Sequence, residues 1–245
     1  RDGELATLRN TLDAVIEQRR PKLVVVSGDA GVGKSRLADE FAAVVDSSPA
    51  RVAWHHGRCL AYGDGVAMWA LAEAVRSRLG LVERDTVTAD DVGSALVEHV
   101  VDVDQRERLR PRLAVLLGDR TAGDFPGEDL FAAWTDFFEL LAVGRDAVVL
   151  VVEDAENADR GLLAFLDHLV TTATAPLFVL VLARPELLAA HGDLGGDAAR
   201  TVTLERLSDG DMAEMMSRLV ANLPEQARDH LVTRAGGVPL FAVET

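Results

Sequence analysis

Residues 23–35 constrain the fold more tightly than any other part of the chain. Leu23-Val24-Val25-Val26 is an apolar, mainly β-branched run bounded by turn formers, and reads as a strand buried on both faces. Gly28-Asp29-Ala30-Gly31-Val32-Gly33-Lys34-Ser35 follows directly, and residues 34–45 then carry Leu37, Phe41, Val44 and Val45 at helical spacing. A buried strand, a glycine-rich turn and a helix in immediate succession belong to a parallel sheet with helices laid over it.

The turn satisfies G-x-x-x-x-G-K-[ST], which arises by chance roughly once in a hundred chains of this length. Its glycines let backbone N–H groups and the positive end of the following helix approach an anion closely, so a phosphate cradle is expected. Lys34 would hold the β- and γ-phosphates of ATP and Ser35 would ligate Mg²⁺. The expected ATP contacts are Gly28, Asp29, Ala30, Gly31, Val32, Gly33, Lys34, Ser35 and Arg36.

The rest of the chain extends the same pattern. Residues 2–19 place Leu5, Leu8, Leu12, Val15 and Ile16 on one helical face, with Pro21 as the stop. Further strands are expected at 51–55, 147–152, 177–183 and 201–204, and a helix at 162–170. Alternating short apolar strands and helices predict an α/β fold of the P-loop NTPase type, a parallel sheet covered on both faces. A long helical stretch at about 66–145 forms an insertion between the second and third strands. Leu71, Ala74, Val75 and Leu79 lie on one of its periodic faces, and Leu130, Phe131, Trp134, Phe137, Phe138 and Leu141 on another; all read as core. Helices at 208–220 and 224–235, with Ser208 as N-cap and Gly236-Gly237 as stop, predict a small helical lid beginning near 206. The expected division is therefore a core over 1–205 and the start of a lid over 206–245.

Composition excludes several function classes. The longest strongly apolar run, 147–152, is too short to span a bilayer. A net charge of −15 in 245 residues, with a pI of about 4.8, opposes binding of a nucleic-acid backbone. The single cysteine, Cys59, cannot pair within the chain and reads as a small buried residue, which fits a reducing cytoplasm. No leader segment is visible, and the chain reads as a piece of a longer protein.

Phosphoryl chemistry with Mg²⁺ needs a second acidic centre, expected at the carboxyl end of a strand beside the loop strand. Glu153-Asp154 is placed to supply it, the first carboxylate binding Mg²⁺ directly or through water and the second polarising the attacking water. The order of roles within the pair stays open, because the first position is more often Asp. Asp159 is the better cap for the helix that follows. Arg184 comes directly after the fourth strand, where a polar side chain can reach the γ-phosphate, so Lys34, Glu153, Asp154 and Arg184 form the expected catalytic set.

The phosphate loop with Val148-Val149-Leu150-Val151-Val152-Glu153-Asp154 resembles the AAA-like and STAND (signal-transduction ATPase) class, in which an additional strand separates these two motifs. Arg1-Asp2-Gly3-Glu4-Leu5 looks like the end of that class's N-terminal G-R-x-x-E motif. Gly57-Arg58-Cys59-Leu60-Ala61-Tyr62-Gly63-Asp64-Gly65 is similar to the stretch after its second strand, and Gly237-Val238-Pro239-Leu240-Phe241 to its lid G-x-P motif. Residues 155–159 match the class's D-L-H-W-A-D only at the ends, with Glu156 and Asn157 in place of His and Trp. The similarity is greatest to the ATPase modules of actinobacterial LuxR-type large regulators and multidomain adenylate cyclases. It implies a switch that rests with ADP bound and self-associates with ATP, slow hydrolysis, linked effector domains, a nucleotide contact at Arg1 and an adenine contact at Pro239.

Other readings are a small-molecule phosphotransferase, a GTPase and a non-hydrolysing scaffold. The first would need an Arg-rich lid, whereas Arg206, Arg218, Arg228 and Arg234 are scattered; the second would need an Asn-Lys-x-Asp stretch, which is absent.

Overall fold

The computed structural model describes residues 1–61, 68–220 and 224–244. Five strands, β1 (Lys22–Ser27), β2 (Val52–Arg58), β3 (Ala147–Glu153), β4 (Leu177–Ala183) and β5 (Ala199–Thr203), form one sheet in the order β2-β3-β4-β1-β5. Every neighbouring pair is parallel. β3 and β4 are buried at every position because they lie inside the sheet under helices on both faces. β5 closes one edge, and three of its five residues are exposed.

Alternation along each strand sorts the core into two layers. Val24, Val26, Val149, Val151, Phe178 and Leu180 face α1 (Asp2–Gln18) and α2 (Lys34–Asp46), where Leu8, Leu12 and Phe41 complete the packing. Leu23, Val25, Val148, Leu150, Val179 and Val181 face the other way. That second layer is covered by α3 (Trp69–Arg78), α6 (Gly127–Leu141) and α7 (Arg160–Thr172), backed by α4 (Ala89–Leu96) and α5 (Val103–Leu116). The insertion therefore supplies about half of this larger core cluster. Trp134, Phe137, Phe138 and Leu141 are buried as their spacing predicts, and Phe131 and Trp134 stack edge-on against Phe165.

Asp159 joins the insertion to the sheet. One carboxylate oxygen caps α7 by accepting from the N–H groups of Gly161 and Leu162, at 2.8 and 3.0 Å. The other accepts from the Met68 N–H at 2.8 Å, at the entry to α3. The expected similarity at Tyr62, Gly63, Asp64 and Gly65 lies outside the described residues.

After β4 come α8 (Pro185–Ala190) and β5, then α9 (Asp209–Leu219), α10 (Glu225–Ala235) and α11 (Pro239–Glu244). These last three helices share a small core of their own, built on Met212, Met216, Val232, Ala235 and Ala242. Ser208 caps α9 and Gly236 ends α10 in the left-handed conformation, both as their residue types predict. α11 is a helix that the sequence pattern alone does not reveal. Among the described residues no helix is long and apolar enough to cross a membrane.

Candidate nucleotide site

β1 delivers the glycine-rich turn to the carboxyl edge of the sheet. The Gly28 N–H donates to the Ala183 carbonyl at 3.2 Å, extending the β1–β4 pairing by one residue. A Cβ at Gly28 would stand 2.8 Å from the Leu204 carbonyl oxygen, so no side chain fits there. Gly31 and Gly33 have φ of +79° and +102°, which L side chains seldom adopt, and Gly33 leads into α2. The loop curls around Lys34, whose Nζ donates to the carbonyls of Gly28 and Asp29 at 2.8 and 3.1 Å. Burial draws the Lys34 ammonium below the usual lysine range, while Glu156 and Asp154 act in the opposite direction.

The acidic pair reaches this loop, though from farther along the sheet than simple adjacency predicts. The strand ending at Glu153 was expected beside the loop strand; β4 lies between them, with β3 paired to β4 and β4 to β1. That additional strand is what the family resemblance implies. The turn into α2 crosses the end of β4, and the Ser35 hydroxyl donates to Glu153 Oε2 at 3.0 Å. These hard oxygen donors suit Mg²⁺, which is ordinarily held by one or two protein oxygens together with phosphate oxygens. Among the described residues no group of three or more His, Cys, Asp and Glu forms a ready-made metal cage.

Glu153 has further partners. His56 Nε2 lies 2.9 Å from Oε1, and Arg58 Nη2 donates to Oε2 at 2.7 Å. These bonds, His56 first, then Arg58 and Ser35, outweigh burial and hold the carboxyl at about 2. Arg58 Nε also stands 3.5 Å from Asp154, so one guanidinium spans both acids. Neither His56 nor Arg58 is identified by motif. Their signal is positional, at alternate residues ending β2, with Arg58 in register with Glu153. Asp154 itself has φ of 52° and a half-exposed side chain facing the cleft. Cys59 is buried, and burial first, then the charges of Asp159, Asp154, Glu156 and Glu73, pushes its thiol up to about 12, which leaves it an inert small side chain.

A cleft of about 890 Å³ opens between this edge and α9–α11, within the roughly 300–1,000 Å³ of small-ligand sites. Ala30, Gly31, Gly33, Lys34, Ser35 and Arg36 line it from the loop, with Asp154, Glu156 and Arg184 close to Lys34. Leu207, Met215, Leu219, Pro239 and Leu240 supply apolar lining from the α9–α11 side, together with the charged Asp211, Glu214 and Arg218. Arg1 also lines the cleft, while its Nη2 donates to the backbone carbonyls of Val32 and Glu205 and its Nη1 bonds Glu4. Gly28, Val32 and Glu153 are buried behind the cleft wall, and Asp29 is turned toward Arg206, 3.6 Å away. Arg36 pairs with Glu40 on the exposed side of α2. Arg184 Nε lies 2.9 Å from Glu156 Oε1.

Comparison with known proteins agrees with this architecture. A search of curated protein sequences gives no match. Among solved structures, the chain is similar to a Signal Transduction ATPase with Numerous Domains (STAND) protein with a tetratricopeptide repeat sensor from Pyrococcus horikoshii. Identity is 17%, over 98% of this chain and 28% of that one, with a TM-score of 0.50. It is also similar to the ORC1 protein of Aeropyrum pernix, solved in complex with DNA, at 12% identity over 100% of this chain and 57% of that one, with a TM-score of 0.56. The chain thus spans less than two thirds of either structure, and at these identities the likeness is one of fold. The sequence family described as the AAA ATPase domain matches residues 1–182, which include the loop, the acidic pair and four of the five strands. With three quarters of its length matched, this chain belongs to the AAA ATPase domain family and is a nucleotide-binding ATPase module.

Proposed function

We propose that this module is a regulatory switch that binds ATP with Mg²⁺ in the cleft, hydrolyses it slowly and passes its nucleotide state to linked effector domains. The observation that carries the reading is the 3.0 Å bond between Ser35 and Glu153, which joins the phosphate loop to the acidic strand end across β4.

Each residue's part follows from its position. Loop N–H groups from Gly28 to Ser35 cradle the phosphates, and Lys34 exchanges its loop carbonyls for β- and γ-phosphate oxygens. Ser35 and Glu153 hold the Mg²⁺, which when bound draws negative charge off the phosphates. Asp154, facing the cleft and free of the Ser35 contact, orients the attacking water and takes its proton. Arg184 meets the γ-phosphate. Arg36 stands with the phosphate loop, and Arg1 and Pro239 close the base and ribose end, with Pro239 against the adenine. A division into a core over 1–205 and a lid from 206, supported by the separate small core of α9–α11, would hold the nucleotide at their junction. The switch reading is supported by a direct tie between the two parts, the Leu240 N–H donating to the Gly31 carbonyl at 3.3 Å, so that a shift in the loop moves α11.

Calorimetry and phosphate release test this. Lys34→Ala should weaken ATP binding by about a hundredfold, the loss of two charge-assisted contacts, and unchanged affinity would refute the cradle. Asp154→Ala should bind ATP normally and release phosphate about a hundredfold or more slowly. Equal release rates for this variant and wild type would exclude the hydrolytic role of the pair. Light scattering with ATP and with ADP should show larger assemblies only with ATP.

A further inference from the structure

One carboxylate in the cleft has no part in the chemistry above. Glu156 sits in the tight turn at Ala155–Asn157, two residues beyond Asp154, at a place where the sequence departs from the motif it otherwise resembles. Its side chain is 12% exposed, and both oxygens are engaged by the same residue. Oε1 lies 2.9 Å from Arg184 Nε, and Oε2 accepts from the Arg184 backbone N–H at 3.1 Å. A single carboxylate therefore fixes where Arg184 begins, at the end of β4, and which way its guanidinium turns.

We propose that Glu156 is the positioning residue for γ-phosphate recognition, holding Arg184 by Nε so that the two outer nitrogens remain free for the phosphate. This rests on the reading of Arg184 as the γ-phosphate contact. A guanidinium offers one N–H at Nε and four at the outer nitrogens, and the outer edge matches a phosphate in bidentate fashion. The Arg184 side chain is half exposed, so without a partner it would populate many rotamers in water. Glu156 is largely buried and anchored twice, and both residues line the cleft beside Lys34 and Asp154. The energy of ordering the arginine is thereby supplied before nucleotide arrives, the general advantage of preorganisation. ADP has no γ-phosphate and gains nothing from it. Glu156 thus acts on discrimination between ATP and ADP rather than on nucleotide binding as a whole.

The test is a double-mutant cycle read by calorimetry, with Mg²⁺ and either ADP or a non-hydrolysable ATP analogue. Arg184→Ala should lower the ratio of analogue to ADP affinity by about tenfold with ADP affinity unchanged. Glu156→Ala should lower the ratio by about fivefold or more, and should have no further effect in the Arg184→Ala background. Glu156→Gln keeps one acceptor oxygen and the same shape, so it should give an intermediate loss and covers the case in which Glu156→Ala folds poorly. A lowered ratio in Arg184→Ala with unchanged ratios in both Glu156 variants would overturn the positioning role and leave the Arg184 contact standing. An unchanged ratio in Arg184→Ala would remove the Arg184 contact itself, and the inference with it. Equal losses for ADP and the analogue in Glu156→Gln would show a general structural role and overturn the proposal.

Discussion

Two histidines side by side on β2 illustrate how far a side chain's environment decides its chemistry. His56 points along the edge where Glu153 stands, and its hydrogen bond to that carboxylate raises its pKa above the ordinary histidine value. His55 points the other way, is 6% exposed and packs edge-on against Phe138. Burial first, then the charges of Arg78, Arg145 and His99, depresses it to about 4. The native state therefore keeps His55 neutral while the unfolded chain protonates it near the ordinary value of about 6.5, so stability falls as pH drops through the window from about 6.5 to about 4. The full shift corresponds to roughly 3 kcal/mol. Chemical denaturation of His55→Phe should lose less stability than wild type between pH 7 and pH 4; identical losses would exclude this source of acid sensitivity. Arg58 invites a second measurement, since its guanidinium lies against both acids of the site. Arg58→Ala should lower Tm in Mg²⁺-free buffer, because Glu153 is 6% exposed and loses a charged partner worth about 1–3 kcal/mol. It should also lower the Mg²⁺ concentration needed for half-maximal nucleotide binding, and a higher requirement would show that Arg58 assists the metal instead of competing with it.

The pairing of β2 with α3 shows the same dependence among elements. α3 lies so close to β2 that a Cβ on Gly57 would stand 1.8 Å from the Ala70 carbonyl oxygen. Gly57→Ala must push helix and strand apart and should cost about 1–3 kcal/mol, read as a lower Tm; a Tm within about 2 °C of wild type would show that α3 yields freely. Because Gly57 lies between His56 and Arg58, the displacement should also loosen their hold on Glu153. Element types were largely readable from spacing, including the strand before the loop, the helices at either side and the caps Ser208 and Gly236. Other features were not: β5 spans Ala199–Thr203 where a strand was expected at 201–204, and α8 (Pro185–Ala190) was not foreseen. The expected second strand, 51–55, stops short of β2, which runs on to Arg58 because its polar last residues find partners on Glu153 and Glu73. α11 follows too closely on Gly236-Gly237 to show periodicity, and it is held where Leu240 and Val238 pack on Gly31.

At the scale of the molecule, the cleft joins two bodies of unequal core, the double-layered sheet and the small cluster of α9–α11. A nucleotide lying between them and binding only the folded state should stabilise both together. At a hundredfold excess over Kd the gain is about 2.7 kcal/mol, so saturating Mg·ADP should raise Tm by about 5–10 °C in wild type and far less in Lys34→Ala. Equal shifts in the two proteins in differential scanning calorimetry would place the nucleotide elsewhere. The phosphate loop, the acidic pair, the helical insertion and the position of Arg184 were all legible in the chain itself, because each depends on residues a few positions apart and on local periodicity. The strand between loop and acids was implied by the family resemblance and not by local spacing, whereas the Arg58 and His56 contacts to Glu153 and the grip of Glu156 on Arg184 emerged only in three dimensions. His56 and Arg58 are 97 and 95 residues from Glu153, and Glu156 is 28 from Arg184. Such distances are closed by strand order and by the packing of two helical layers on the sheet, neither of which local spacing encodes.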